Sequence, residues 1–297
     1  MKIIDILNKK KTTLSFEVFP PKKIENFDSV QQVTEEVAAL KPSFMSVTYG
    51  AGGGTSEFTL NIAGNIRAKY GVEVVPHLTC VSSTKEDVHR MLQKIRDHGF
   101  DNIMALRGDI PKDGAPHNDY HYASELIEDI RAHGNFCIGA ACYPEGHVEC
   151  AHKDEDIRNL KRKVDAGVDF LTTQMFFDNA EFFNFLYRLR ENDIRVPVLA
   201  GIMPITNAVQ LSRSVALSGT SVPTRFREIV DKFGDHPAAM KQAGIIYATE
   251  QIVDLIANDV RHIHVYSMNK PDIHVYSMNK PDIAEAIQKN LSEILKI

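Results

Sequence analysis

Glu17 is a carboxylate set inside the apolar run Phe16-Glu17-Val18-Phe19. A charge in such a run either pairs with a cation or has a raised pKa and serves as a proton donor. A second carboxylate, Asp109, follows Arg107-Gly108 after another apolar run. It reads as half of an Arg–Asp ion pair, as a turn cap, or as a fixed negative charge that stabilises a developing cation. Two carboxylates in different surroundings suit a division of labour between an acid and an electrostatic stabiliser. Other apolar runs end in Thr48, in His77 with Thr79, and in Tyr143, Gln174, Met203 and Tyr266. The segment from Cys142 to His152 contains two cysteines and two histidines. It lacks the closely spaced cysteine pair that opens common structural zinc sites, so it reads as a strand end and loop presenting Tyr143 and His147 to a ligand. No apolar run ends in lysine, which argues against Schiff-base chemistry. Neither a Gly-x-Ser-x-Gly elbow nor a Gly-Lys-Ser/Thr phosphate loop occurs.

Positioning these groups requires regular elements, and the chain alternates between two kinds. Strand-like runs cover Leu14–Phe19, Phe44–Tyr49, Val72–Cys80, Asn102–Leu106, Phe136–Tyr143, Phe170–Met175, Val196–Met203 and Ile263–Tyr266. Between them, apolar residues recur at helical spacing over Val30–Leu40, Thr59–Lys69, Lys85–His98, Ser124–His133, Ile157–Ala166, Ala180–Glu191 and Ala208–Leu217. A further helical stretch covers Ala284–Leu295, and Gly99 and Gly167 follow helical stretches as C-cap glycines do. Eight strand–helix units predict an α/β fold, a (β/α)8 TIM barrel, with active-site groups at the C-terminal strand ends. Thr224–Phe233 and His236–Asp259 read as extra helices before strand 8. A doubly wound open sheet is the alternative, but it usually carries its glycine fingerprint after the first strand. Here Pro20-Pro21 stand there, and the glycines at 50–54 follow the second strand, as a loop at the barrel mouth.

The chain has 297 residues, ample for one such barrel, and no linker or composition break divides it, so 1–297 reads as a single catalytic domain. A net charge of −5 argues against a nucleic-acid partner; Lys9-Lys10-Lys11 reads as a solvated helix end. No apolar run approaches the roughly 18 residues of a membrane span. Asp5 interrupts the N-terminal apolar run, which fits no signal peptide. A cytoplasmic protein without a disulfide framework is expected. Residues 263–272, Ile-His-Val-Tyr-Ser-Met-Asn-Lys-Pro-Asp, recur identically at 273–282. This local duplication is too short for a solenoid repeat, and the first copy is the expected eighth strand.

Several segments, in order, resemble the methylenetetrahydrofolate reductase family. They are Ser15-Phe-Glu-Val-Phe-Pro-Pro21, Ser46-Val-Thr-Tyr-Gly-Ala51, Pro76-His-Leu-Thr-Cys80, Ala105-Leu-Arg-Gly-Asp109 and Ala141-Cys-Tyr-Pro-Glu145 with His147. Asn159 to Gly167 and Thr173-Gln-Met-Phe-Phe-Asp178 continue the match. The resemblance implies a barrel that binds FAD without a Rossmann domain, through Thr48, His77, Arg107, Gly108, Asp109, Tyr122, Ala123, Ala141, Tyr143, His147, Asp156 and Lys163. Asp156 and Lys163 would meet the ribose and phosphate end. It implies ping-pong hydride transfer from NADH or NADPH through the flavin to 5,10-methylenetetrahydrofolate, giving 5-methyltetrahydrofolate for methionine biosynthesis. Glu17 would be the general acid, Asp109 the stabiliser of the iminium cation, Gln174 a pterin ligand, and Tyr266 part of the substrate wall. The resemblance also implies self-association into a homo-oligomer. The segment corresponding to 263–272 occurs once in the family, so Tyr266 and Tyr276 compete for one place. The chain ends soon after its last helix, and no adenosylmethionine control is expected. Two other readings stand beside this one: a metal-dependent lyase or hydrolase using Glu17, His77, Asp109 and His147, and a barrel impaired by the tandem segment.

Overall fold

A computed structural model describes residues 1–21, 23–49, 56–110, 119–266 and 280–296. Its parallel strands close into an eight-stranded barrel in chain order. They are β1 (Thr13–Val18), β2 (Met45–Val47), β3 (Val74–Thr79), β4 (Asn102–Leu106), β5 (Cys137–Cys142), β6 (Phe170–Thr173), β7 (Val198–Ile202) and β8 (His262–Tyr266). Each strand lies close to its place in the sequence reading. Closure pairs β1 with β8, setting Ser15 opposite His264 and Glu17 opposite Tyr266, which excludes the open-sheet alternative. Of the tandem copies, the first supplies β8. The second lies outside the described residues up to 279, as do Tyr276 and the glycine loop at 50–54.

Outside the strands lie α2 (Phe27–Ala39), α3 (Ser56–Tyr70), α4 (Lys85–Asp97), α5 (Ala123–His133), α6 (Lys153–Asp165), α7 (Asn179–Glu191) and α8 (Ala208–Ser218). The extra helices α9 (Thr224–Phe233) and α10 (Pro237–Ala257) precede β8, and α11 (Pro281–Asn290) follows it. Helix α4 illustrates the local logic. A capping box joins Thr84 and Asp87, and Val88, Met91, Leu92 and Ile95 share one buried face. The helix gives way to Gly99 at φ +71, a left-handed position that costs glycine little. In α10, Gly244 lies so close to the β7–α8 connection that a Cβ would sit 1.7 Å from the Ile205 carbonyl oxygen. None of the helices among the described residues is long and apolar enough to cross a membrane.

Only the end of the first helix, at Lys9 to Lys11, is legible in the sequence. The N-terminal apolar run is α1 (Ile3–Lys9), which closes the bottom of the barrel. Ile3, Ile6 and Leu7 pack there against Phe44, Val75, Met104, Cys137, Phe170 and Leu199. Burying each contributes roughly 1.5–3 kcal/mol. The Ile3 amide also donates to Asn102 Oδ1 at 2.8 Å.

This plug explains why the opposite end is open. Alternate strand residues face the barrel axis. Two residues beyond Phe44, Val75, Cys137, Phe170 and Leu199 stand Ser46, His77, Gly139, Thr172 and Gly201; another two on stand Thr48, Thr79, Ala141, Gln174 and Met203. On these five strands the inward face changes from apolar groups to mostly small or polar ones toward the C-terminal end, and a cavity begins where packing stops.

At the foot of β8, burial pushes His262 down to about 4. A depressed imidazole makes its full contribution to stability above its ordinary 6.5, and loses it as pH falls from 6.5 through about 4. The expected loss is at most about 3 kcal/mol, because one pKa unit corresponds to about 1.36 kcal/mol. Thermal melts between pH 7 and 4 should show this slope, and His262→Gln should flatten it. An unchanged slope in the variant would assign it to other groups.

Candidate active site

The cavity at the C-terminal end of the strands has a volume of about 1890 Å³. All fifteen residues singled out from the sequence line it: Glu17, Thr48, His77, Arg107, Gly108, Asp109, Tyr122, Ala123, Ala141, Tyr143, His147, Asp156, Lys163, Gln174 and Tyr266. They come from seven strands or the loops that follow, from the start of α5 and from α6. Ligand pockets typically span about 300–1,000 Å³, so this space suits an extended ligand or two ligands together.

Glu17 stands on the cavity floor and is 8% exposed. Its Oε2 accepts a hydrogen bond from Ser46 Oγ at 3.0 Å and lies 3.3 Å from His77 Nε2 and 3.6 Å from His264 Nε2. Behind it, His264 Nδ1 is 2.8 Å from Ser15 Oγ. Burial alone would raise the Glu17 pKa, but the adjacent His77 and a hydrogen bond from His264 overcome this and hold it at about 2. Of the two solutions for a buried carboxylate, the resting site thus has the paired one. His264, Ser15 and Ser46 were missed by the sequence reading. Their signal was present as a polar residue inside each of three apolar strands, but only barrel closure brings β8 to β1 and so His264 to Glu17.

Tyr266 caps this cluster. Its hydroxyl donates to the Thr173 carbonyl oxygen at 2.5 Å, and its ring stands edge-on to His264. The close approach depends on Gly201, where a Cβ would lie 2.2 Å from Thr173 O and 2.7 Å from the Tyr266 ring. Gly201→Ala should therefore cost about 1–3 kcal/mol through overpacking and swing Tyr266 into the cavity. A melting temperature equal to that of the parent chain would show that the contact relaxes freely.

Higher in the cavity, Arg107 makes a two-pronged ion pair with Glu149 at 2.6 and 2.8 Å. The Arg–Asp pair considered from the sequence is replaced by this one, because the loop after β5 carries Glu149 to the guanidinium. Asp109 is exposed at the rim, where water screens its charge until a ligand excludes that water. Gln174 accepts from the Met175 amide through its side-chain oxygen at 2.9 Å, leaving its amide NH2 as a donor. Tyr143 and His147 pack edge to face, with centroids 4.6 Å apart. Burial pushes the Tyr143 phenol up to about 12 and lowers His147. Tyr122 and Ala123 sit at the start of α5, whose Glu125 carboxylate accepts from the Tyr122 amide.

Lys163 and Asp156 lie two turns apart on α6, and both line the cavity wall. Lys163 Nζ donates to Ala141 O at 2.9 Å, and burial pushes its pKa down. Burial pushes Asp156 up. A half-buried ammonium bonded to a neutral carbonyl suits an incoming anion. Thr172 Oγ1, also on the lining, is buried without a hydrogen-bond partner among the described residues. A bulky anionic, hydrogen-bonding group such as FAD fits this set. Among the described residues, no three-ligand metal cluster forms from Glu17, His77, Asp109 and His147, or from Cys142, His147, Cys150 and His152.

Fold and cavity together define a barrel enzyme: a plugged floor, an open mouth, and acid–base and anion-binding groups converging from separate strand ends. Comparison with known proteins narrows the class. The chain matches the family described as "Methylenetetrahydrofolate reductase" over residues 2–292, and it belongs to that family of oxidoreductases. It is 37% identical over 270 residues to Methylenetetrahydrofolate reductase 1 of Schizosaccharomyces pombe, covering 88% of this chain and 44% of that protein. It is 33% identical over 259 residues to 5,10-methylenetetrahydrofolate reductase of Pectobacterium carotovorum subsp. carotovorum, covering 87% of this chain and 86% of that one. The chain thus spans about half the length of the yeast relative and most of the bacterial one. Among solved structures, an uncharacterised protein from Clostridium thermocellum has the same fold, with a TM-score of 0.71, 14% identity, and coverage of 100% of this chain and 99% of that one.

Proposed function

We propose that the chain is a cytoplasmic flavoprotein that reduces 5,10-methylenetetrahydrofolate to 5-methyltetrahydrofolate, with NADH or NADPH as donor. The observation that carries this reading is the convergence of all fifteen family-matched residues on one cavity. The Clostridium thermocellum protein is described as binding two copies of 5-methyl-5,6,7,8-tetrahydrofolic acid, which supports a folate ligand for this barrel too. FAD, when bound, supplies a reversible hydride carrier, so that nicotinamide and folate can react in turn at one place.

The protein groups divide the remaining work. Lys163 neutralises the pyrophosphate, and Asp156 meets the ribose. Gln174 donates to the pterin and orients it. Tyr266 forms the adjoining wall and keeps water from the floor. Glu17 delivers the proton that opens the five-membered ring of the substrate. Because Glu17 is ionised at rest, that proton must reach it first, and His77, which lines the cavity 3.3 Å from the carboxylate, stands where it can relay one from the cavity. Asp109, once shielded from water, stabilises the iminium cation that results.

The test is an absorbance spectrum of the purified full chain, followed by anaerobic mixing. A yellow protein, bleached by NADH or NADPH and reoxidised by methylenetetrahydrofolate, is expected. A folded, colourless protein that takes up no FAD would refute the assignment.

A further inference from the structure

Outside the barrel, away from the cavity lining, α4 and α5 bring together His89, Asp129 and His133, whose candidate ligand atoms all lie within 4.8 Å of one another. His89 Nε2 lies 3.1 and 3.0 Å from the two Asp129 carboxylate oxygens. The two imidazole centroids are 3.9 Å apart. Asp129 and His133 are four residues apart on α5 and therefore share its face, while His89 reaches across from α4. We propose that these three side chains form a binding site for one divalent transition-metal cation of the zinc class.

The chemistry of the donors selects that class. Two imidazoles and one carboxylate suit zinc and its neighbours, whereas magnesium and calcium prefer an all-oxygen shell. Three protein ligands leave a fourth position for water. The side chains of His89, His133 and Asp129 are 40%, 36% and 18% exposed, so water can reach it. Surrounding groups already orient the ligands. Tyr120 donates its hydroxyl to Asp129 Oδ2. His133 Nδ1 lies 2.8 Å from the Asp129 backbone oxygen, and an N–H there leaves Nε2 with its lone pair. Ligating histidines are commonly held in this way, with the second ring nitrogen donating to a carbonyl. The metal would tie α4 to α5 and, through Tyr120, brace the loop that carries Tyr122 to the cavity.

The test uses the full chain without an affinity tag, stripped by chelator and titrated with zinc against a chromogenic competitor. One equivalent should bind saturably, and His89→Gln and His133→Gln should each weaken binding by about tenfold or more. Cobalt in place of zinc should give visible d–d bands that are lost in both variants. Anomalous scattering at the zinc edge, from a crystal of the parent chain, locates the ion whether or not the variants fold. No saturable binding, undiminished binding in folded variants, or an anomalous peak elsewhere, such as at Cys150 and His152, would overturn the site.

Discussion

Glu17→Gln should leave reduction of bound flavin by NADH or NADPH within about threefold of the parent rate, and slow the folate half-reaction by about 10²–10⁴-fold, the usual worth of a general acid. The substitution keeps the shape and removes the charge and the titratable proton. Ser46 and the two imidazoles around the Glu17 position keep a hydrogen-bonding partner in the amide. The two half-reactions separate the roles. Hydride leaving a nicotinamide needs no proton from this residue, whereas opening of the folate ring does. Rapid-mixing measurements of each half-reaction decide the matter, and equal losses in both would remove Glu17 as the acid. The low resting pKa sharpens the expectation. A carboxylate held at about 2 is a poor acid by itself at neutral pH, so it acts only if its neighbours reload it.

Lys163→Met should weaken FAD binding by about 10–100-fold while leaving the fold intact. A hydrogen bond to a charged group is worth roughly 1.5–3 kcal/mol, and each 1.4 kcal/mol is tenfold in affinity. Methionine matches the length of the aliphatic stem, and burial already disfavours the ammonium at this position, so the apo protein should lose little stability. Quenching of FAD fluorescence on titration into apo protein gives the constant, and the melting temperature reports the fold. An unchanged dissociation constant would place the pyrophosphate elsewhere in the cavity.

Much of this site was readable in advance, for a definable reason. Strand residues alternate, and the same period that sends Phe170 into the plug sends Thr172 and Gln174 up into the cavity. Once eight strand–helix units are counted, the rule that active sites sit at the C-terminal strand ends marks the polar residue closing each run. What stayed hidden depends on neighbours distant in sequence. Glu149 is 42 residues from Arg107, and no local pattern marks it as the partner. His264, at the far end of the chain from Glu17, reaches it only through closure.

By itself, then, the order of residues determined the eight strands, most of the helices and the alternation along each strand, because propensity and periodicity are local properties. It favoured the first tandem copy for the sheet only by its place after the long helix, since identical residues have identical propensities. The tertiary structure decided that: the first copy pairs with β1 and β7 in register, and His262 just before it is tied to Thr13. It also decided the charge state of Glu17. A carboxylate's pKa is set by the charges and water within a few ångströms, and only the closed barrel supplies them.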